Sequence, residues 1–276
     1  DGINWLLFAV TPSLFAVLVM VPQIFTIRER HHPEPEDQVS LGTMIKEVLR
    51  NDQHFIIMAM YVSQAFLNAA GVFATYVAEG IYGSAQFASA TGAFTLLGIL
   101  LLGAFTPAIV TRWGKRRYLE VSMLVSIALS LPIFFIPTDM PIVAMTFLGL
   151  RTMALVVTSL LRPMFTADCI EYGQNKTGVR SESVAFAVQT FFNKTGDAIG
   201  TALGGYILAL ALFDEQVPLA AQAPETMRFL KYAYIILPMI MAAVMYLGPK
   251  LFYKLDESTI STLISKNEEQ EAVESP

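Results

Sequence analysis

The chain has 276 residues, of which 54% are hydrophobic and only 15% are charged, and its formal net charge is -5. Ordinary soluble domains carry roughly 25% charged residues, so this composition excludes a water-soluble globular core and favours a protein embedded in a membrane. Nothing in the charge balance points to nucleic acid as a partner.

Apolar stretches of about 20 residues recur along the chain, which is the length that a helix needs to cross roughly 30 Å of hydrocarbon. Residues 94–109 and 121–136 are apolar on every face, unlike the alternating strands of a membrane β-barrel. We therefore predict an all-α membrane protein with about seven transmembrane helices, at residues 4–27, 54–79, 87–110, 118–137, 141–163, 184–212 and 231–250.

The first predicted helix stands apart from the six that follow. Residue 1 is Asp rather than Met, and apolar sequence begins at Trp5 without a basic segment before it, so we expect that upstream sequence is missing. We interpret residues 1–27 as the last helix of an N-terminal half and residues 54–250 as a C-terminal six-helix bundle. The missing N-terminal helices would then be a partner of this chain within one folded protein.

The polar segments have distinct patterns. Residues 28–53 are predicted to be a cytoplasmic middle loop, with an acidic, proline-broken first part and then an amphipathic helix over 41–49 behind Ser40 as an N-cap. His31 and His32 stand near acidic residues, but a proline-broken linker is a poor metal site, and we predict none. The acidic tail, within residues 251–276, is predicted to be cytoplasmic and disordered.

The distribution of cations predicts the orientation. Fourteen of the 18 basic residues, Arg162 among them, are assigned to loops on one side of the membrane, two to the other side and two to span interiors. Cytoplasmic loops carry the excess of Lys and Arg in membrane proteins. The C-terminus is therefore predicted to be cytoplasmic, in an inner or plasma membrane.

Lys194 lies near the middle of the span at 184–212, about 15 Å deep if the helix enters at Val184. Thr190, Lys194, Asp197 and Thr201 follow at intervals of four, three and four, so they form one polar stripe on a helix face. A cation at that depth costs at least a few kcal/mol unless it is solvated or paired, which favours a functional site. The alternative is that Lys194 and Asp197 only neutralise each other.

Arg151 is a second cation near the midplane, ten residues after Pro141. Two buried cations at one depth would suit a carboxylate or sulfonate on a substrate, because the ligand supplies the missing charge. An ion pair between Arg151 and Asp197, or with an acid in the missing half, is the structural alternative.

Two further features receive structural interpretations. Gly196, Gly200 and Gly204 recur every four residues, a spacing that lets another helix approach closely. Cys169, the single cysteine, is placed in a loop without a second thiol or clustered histidines, and we predict that it is inert.

Charged residues also cluster on the predicted cytoplasmic side. The turn from Arg112 to Arg117, which includes Lys115, is by itself only a signal of topology. The next cytoplasmic connection holds a mixed set of side chains: Asp168, Glu171, Tyr172 and Arg180. Reversible ion pairs among these residues could gate a rocking bundle. A solvated loop is the alternative.

The motif Asp168-x-x-Glu171-Tyr172-Gly173-x-x-x-Thr177-Gly178-x-Arg180, followed at helical spacing by Gln189, Thr190 and Lys194, resembles the glycoside-pentoside-hexuronide:cation symporters. The resemblance implies a twelve-helix major facilitator fold with sugar in a central cavity, coupled to Na⁺, Li⁺ or H⁺. It also implies that Lys194 and Thr190 line the sugar site and that Asp168, Glu171 and Arg180 belong to a cytoplasmic charge network. The coupling-cation ligands would lie in the missing half, so no cofactor or metal ligand is expected here.

Together these observations predict a secondary active sugar transporter that works by alternating access. Arg151 departs from the family pattern, which leads to the hypothesis of an acidic sugar such as a hexuronide or a sulfonated hexose. The substrate-binding candidates are Lys194, Thr190, Arg151, Asp197 and Gln189, and the gating candidates are Asp168, Glu171, Tyr172, Arg180, Arg112 and Lys115. The alternatives are a lysophospholipid carrier of the same fold and a seven-helix, receptor-like binding protein. An enzyme is not predicted, because no phosphate loop, nucleophile elbow or zinc-protease motif is present.

Overall fold

The computed structural model of the protein describes residues 2–26, 40–84 and 86–274, which contain no β-strand. The chain divides into two compact units, Asp1–Ser40 and Leu41–Pro276. Helix α1, Gly2–Thr26, lies in the first unit and carries Pro12 and Pro22. The first part of the predicted middle loop, with the histidines that resembled a metal cluster, lies outside the described residues.

The second unit consists of nine α-helices among its described residues. They are α2 (Leu41–Arg50), α3 (Asp52–Val72), α4 (Ala74–Tyr82), α5 (Gln86–Trp113), α6 (Lys115–Ser130), α7 (Pro141–Thr177), α8 (Glu182–Leu210), α9 (Pro224–Phe252) and α10 (Glu257–Glu274). Short 3₁₀ turns lie at Pro132–Phe134 and Leu219–Ala221. Helix α3 packs against α8 and α9, and α7 packs against α5 and α6. The prediction of an all-α membrane protein is confirmed.

Six helical segments in the described part of the chain are long and apolar enough to cross a membrane: Asn4–Gln23, Asp52–Tyr82, Ser89–Trp113, Lys115–Phe134, Pro141–Thr177 and Pro224–Phe252. The second of these comprises α3 and α4, which are separated at Phe73. The predicted span at 184–212 corresponds to α8, which has 29 residues but is not among the six. Its centre carries Asn193, Lys194 and Asp197, which lower its hydropathy.

The fifth span was predicted to end at residue 163, whereas α7 continues to Thr177. At 1.5 Å per residue its 37 residues extend about 55 Å, well beyond the thickness of the hydrocarbon. Pro163 lies inside the helix, and Phe165 and Cys169 beyond it are fully buried, so packing of the extension sustains the helix past the proline. Gly178 ends α7 with a φ of 72°, a left-handed conformation that glycine adopts without a Cβ penalty. Cys169 is therefore in a helix, and its placement in a loop was wrong.

The tail was predicted to be disordered, and that prediction was wrong for residues 257–274, which form α10. Asp256 begins the helix by accepting a hydrogen bond from the Thr259 backbone N–H at 2.7 Å, and its bonds to Thr259 lower the pKa of this carboxyl. Ile260 and Leu263, three residues apart, pack against the core. The acidic composition of the tail concealed this apolar face.

The amphipathic helix predicted at 41–49 is confirmed as α2. Its Val48 is buried in a small cluster with Ile170 of α7 and Ala185 of α8. Asn51 caps the start of α3 by accepting hydrogen bonds from the backbone N–H groups of Gln53 and His54. Helix α2 thus packs beneath the bundle.

The three-glycine stripe of α8 packs directly on α3, as predicted. A Cβ on Gly196 would lie 2.9 Å from the Tyr61 carbonyl oxygen, and one on Gly200 would lie 2.7 Å from the Ala65 carbonyl oxygen. A Cβ on Gly204 would meet Val72 at 2.5 Å. Real Cβ atoms do not approach backbone so closely, so the two helices are in contact only because these side chains are absent.

We expect Gly200→Ala to lower the stability of the protein by about 1–3 kcal/mol, because the added methyl group forces α8 away from α3. The matched control is Gly205→Ala on the same helix, where the new Cβ meets nothing within 4 Å. The Tm of detergent-purified protein measures both, and a thiol-reactive dye that labels the buried Cys169 of α7 can report unfolding. Equal Tm values for the two variants would contradict the close-packing explanation.

Candidate functional site

A cavity of about 560 Å³ opens among α3, α4, α5, α7 and α9. Its polar lining consists of two arginines and several neutral hydrogen-bonding side chains. These are Arg151, Arg162, Gln64, Asn68, Thr91, Thr95, Thr152, Thr158, Ser159 and Tyr234. A pocket of this size, with a few polar groups in an otherwise apolar wall, is typical of small-molecule sites.

Arg151 is only 2% exposed, as its predicted depth in the span required. Its Nη1 donates to the Tyr234 carbonyl oxygen at 3.2 Å, and its guanidinium carbon lies 5.3 Å from the centre of the Tyr234 ring. Its Nε has no hydrogen-bond partner. No carboxylate of the described residues lies within 4 Å of it, so the guanidinium charge is buried without an anion.

Arg162 lies in the same cavity, although the sequence interpretation assigned it to a loop. It is in α7 and 8% exposed, because the helix continues past it. Its guanidinium carbon lies 4.6 Å from the centre of the Tyr61 ring, and its Nε donates to the Thr158 carbonyl oxygen at 3.3 Å. Its Nη1 has no partner. The spacing of 11 residues from Arg151, three helical turns, is the signal that could have identified it.

Asp197 has two partners, and neither is Arg151. Its Oδ1 accepts a hydrogen bond from Asn68 Nδ2 at 2.8 Å, and its Oδ2 lies 3.6 Å from Lys194 Nζ. The proposed ion pair between Arg151 and Asp197 is therefore wrong. The alternative in which Lys194 and Asp197 neutralise each other has a structural basis, while the Lys194 side chain remains 75% exposed.

The other substrate-binding candidates lie on α8, outside the cavity. Thr190 is exposed and donates to the Phe186 carbonyl oxygen at 2.9 Å. Gln189 is partly buried, and its Oε1 has no hydrogen-bond partner. The structure therefore unites Arg151 with Arg162 and, through Asn68, with Asp197. It does not bring Lys194, Thr190 or Gln189 to Arg151, and their role in binding stays a prediction.

One part of the predicted charge network is a buried cluster at the Thr177 end of the bundle. Lys115 Nζ lies 2.6 Å from Asp168 Oδ1, and Tyr253 Oη donates to Asp168 Oδ2 at 2.6 Å. Glu257 of α10 approaches Lys115 Nζ at 3.6 Å and accepts its backbone N–H. Burial and the charge of Asp168 raise the pKa of Tyr253, so the phenol remains a proton donor. These bonds join α6, α7, α9 and α10.

The second part of the network is more exposed. Glu171 Oε1 lies 2.9 Å from Arg180 Nη1, and its Oε2 accepts a hydrogen bond from Asn267 of α10 at 2.9 Å. Tyr172 donates to Asp52 at 3.2 Å. The solvated-loop alternative is wrong for Asp168, Glu171 and Tyr172, because they lie on α7.

Arg112 is exposed at the end of α5 and forms no ion pair among the described residues. It lines a separate cavity of about 580 Å³ with its own turn and the start of α10. Lys115 lines the same cavity, but unlike Arg112 it is paired with Asp168 and Glu257. All described partners of the network lie in the Leu41–Pro276 unit.

Residues 2–257 match the family described as MFS/sugar transport protein. A provisionally named 2,3-dihydroxypropane-1-sulfonate exporter of Escherichia coli K12 is 27% identical over 93% of this chain and 56% of its own length. A glucuronide carrier protein homolog of the same strain is 23% identical over 86% of the chain and 51% of its own length. An isoprimeverose transporter of Lactiplantibacillus pentosus is 23% identical over 92% and 53%, respectively. The chain spans about half the length of the curated relatives it matches. Because the family match covers nearly all of the chain, this multi-pass membrane protein belongs to the MFS/sugar transport protein family.

Proposed function

We propose that the protein containing this chain is a secondary active transporter of a sugar or glycoside that carries an acidic group, such as a carboxylate or a sulfonate. The observation that carries the proposal is Arg151, a cation that is 2% exposed, faces a 560 Å³ cavity and has no carboxylate within 4 Å in the described part of the chain. A substrate anion would supply the absent partner.

The charge of Arg151 has different energetic consequences in the empty and in the occupied cavity. A buried cation without an anion costs several kcal/mol. Charged residues inside membrane spans are rare for this reason, and those that are present generally have a function. In the occupied cavity the same desolvated guanidinium donates strong, charge-assisted hydrogen bonds to a carboxylate or sulfonate. Two of the three relatives named above carry the names of anionic substrates, a sulfonate and a glucuronide, which supports the proposal.

The remaining lining suits the neutral part of a sugar. Gln64, Asn68, Thr91, Thr95 and Thr152 offer amide and hydroxyl groups from three helices. Such groups can exchange hydrogen bonds with sugar hydroxyls, and Tyr234 adds an aromatic surface in the same wall. An acidic sugar would thus find one cationic contact and several polar ones.

Transport follows by alternating access, in which the two halves of the protein expose the cavity first to one side and then to the other. In this proposal the C-terminus is cytoplasmic, and the Lys115–Asp168 and Glu171–Arg180 pairs hold the cytoplasmic ends of the bundle together. The coupling ion, Na⁺, Li⁺ or H⁺, binds residues of the N-terminal helices, which complete the site together with Lys194, Thr190 and Gln189.

Uptake into membrane vesicles that carry the complete natural protein tests this function. We expect uptake of labelled acidic glycosides that rises with an imposed cation gradient, and we expect Lys194→Ala to lower that uptake at least about tenfold, the loss of one charge-assisted contact. Lys46→Ala, which removes an exposed lysine of α2, is the matched control and should leave uptake unchanged. The absence of acidic-glycoside uptake by the wild type would refute the proposed function.

The lysophospholipid-carrier and receptor alternatives are not favoured. The relatives named above are described as carriers or transporters of sulfonates and sugars, and none as a lipid carrier, a receptor or an enzyme. The cavity wall is also interrupted by arginines and amides rather than being a continuous apolar groove.

A further inference from the structure

We propose that Arg162 is a second contact for the anionic group of the substrate, placed three turns along α7 from Arg151. This inference rests on the proposed function, because it assigns a further specificity-determining residue to the same cavity. The proposed function requires only Arg151 to recognise an acidic substrate, so a contact with Arg162 is an additional claim.

The helix geometry places the two arginines on one side of α7. A separation of 11 residues equals almost three complete turns at 3.6 residues per turn, and it spaces the two Cα atoms by about 16 Å along the axis. Both side chains line the same cavity, with Thr158 and Ser159 between them. Arg151 and Arg162 therefore lie toward opposite ends of one polar strip.

The surroundings of Arg162 hold its guanidinium in place without neutralising it. Stacking on Tyr61 at 4.6 Å and the bond from Nε to the Thr158 carbonyl oxygen fix the plane of the group, while Nη1 is buried without a partner. Asp197 acts electrostatically on Arg162 but lies outside ion-pair distance. Its two oxygens are already engaged by Asn68 and Lys194.

This arrangement is poorly explained by packing alone. A methionine or leucine could cover Tyr61 without burying an unused donor, and a buried N–H without a partner costs about 1–3 kcal/mol. A fixed guanidinium that lines a cavity and keeps one nitrogen without a partner instead resembles a preorganised receptor for a carboxylate or sulfonate, which needs two or more donors in one plane. The part of the cavity between the two arginines is lined by neutral side chains and can accommodate the sugar ring.

The two arginines at opposite ends of the strip affect which substrates are selected. With a cation at each end of the strip, the anionic group can be held while the sugar occupies either end of the cavity. A substrate that lacks the anion gains nothing from Arg162. Arg162 should therefore influence the choice between acidic and neutral glycosides, rather than uptake in general.

The test compares wild type, Arg162→Gln, Arg162→Lys and Arg151→Gln in the complete natural protein, in vesicles that contain equal amounts of carrier. The measured quantity is the ratio of kcat/KM for an acidic glycoside to kcat/KM for its neutral methyl ester. We expect Arg162→Gln to lower this ratio at least about tenfold and Arg162→Lys, which keeps a point charge but loses the planar fork, to lower it less. Arg117→Gln, an exposed change at the start of α6, should leave the ratio unchanged.

The outcomes separate the inference from the function on which it rests. If wild type takes up no acidic glycoside, the proposed function fails. Suppose that wild type prefers the acidic glycoside and that Arg151→Gln loses this preference. If Arg162→Gln then keeps the wild-type ratio, the proposed function stands and only the role assigned to Arg162 is wrong. A parallel fall of both kcat/KM values, with an unchanged ratio, would equally reject it in favour of a packing role. Should Arg162→Gln not reach the membrane, the ratio in Arg162→Lys decides.

Discussion

Replacing Arg151 with glutamine is expected to lower kcat/KM for an acidic glycoside by about 100-fold, while the substrate-free protein keeps a Tm close to that of wild type. The loss of uptake follows because truncating one member of a desolvated, hydrogen-bonded charge pair costs about 2–5 kcal/mol, and each 1.4 kcal/mol is a factor of ten. The Tm is preserved because Arg151 has no carboxylate partner in the empty cavity, so its removal leaves no anion buried alone.

Initial rates of uptake and a thermal unfolding curve measure the two halves of this prediction. Arg151→Lys is the matched control: it retains the charge but cannot reproduce the bond to the Tyr234 carbonyl oxygen and a bidentate contact together, so uptake should be intermediate. If Arg151→Gln retained acidic uptake, the anion would bind elsewhere. If Arg151→Gln lost uptake and its Tm also fell well below that of wild type, the role of Arg151 would be structural.

The buried pair between Lys115 and Asp168 should behave in the opposite way. We expect Lys115→Met to destabilise the protein by about 3 kcal/mol, because Asp168, whose side chain is 6% exposed, would remain as a buried anion with only the Tyr253 hydroxyl as a donor. Asp168→Asn should cost less, because Lys115 could still turn to Glu257, now 3.6 Å away. The double variant should recover part of the stability that Lys115→Met loses, since no charge is then orphaned.

Thermal unfolding of the four proteins provides this double-mutant cycle. Arg117→Met, two residues along the same helix at an exposed position, is the control and should shift the free energy of unfolding by less than about 0.5 kcal/mol. A double variant as unstable as the sum of the two single variants would show that Lys115 and Asp168 do not stabilise each other. The cycle therefore separates a stabilising pair from two independent packing residues.

Elements defined by local pattern were predictable from the sequence. The membrane spans follow from runs of apolar residues, α2 from apolar positions three and four apart, and the close approach of another helix to α8 from glycines every fourth residue. Which helix approaches, α3, came from the structure. Burial of Arg151 also follows from its distance along a span, because rise per residue converts sequence position directly into depth.

Elements that depend on packing from elsewhere were not predictable. The residues beyond Pro163 were predicted to form a polar loop. Helix α7 nevertheless continues, because Phe165 and Cys169 are buried in a core formed with other helices. The tail was predicted to be disordered because its charged residues outnumber its apolar ones. Ile260 and Leu263 pack against the core only in the folded protein. Arg162 was misplaced for the same reason, since its burial depends on the continuation of α7.

The sequence by itself determined that this is a helical membrane protein with cations inside its spans, because length and hydropathy alone decide whether a segment can leave water. Only the tertiary structure decided which charges are paired. Lys115 and Asp168 are 53 residues apart and meet at 2.6 Å, Asp197 turns to Asn68 and Lys194, and Arg151 and Arg162 are left facing a cavity without a carboxylate within 4 Å in the described residues. The Lys194–Asp197 pair lies within one helix at a spacing that the sequence offered. The other pairings depend on distances between helices, which no periodicity within a single helix can specify.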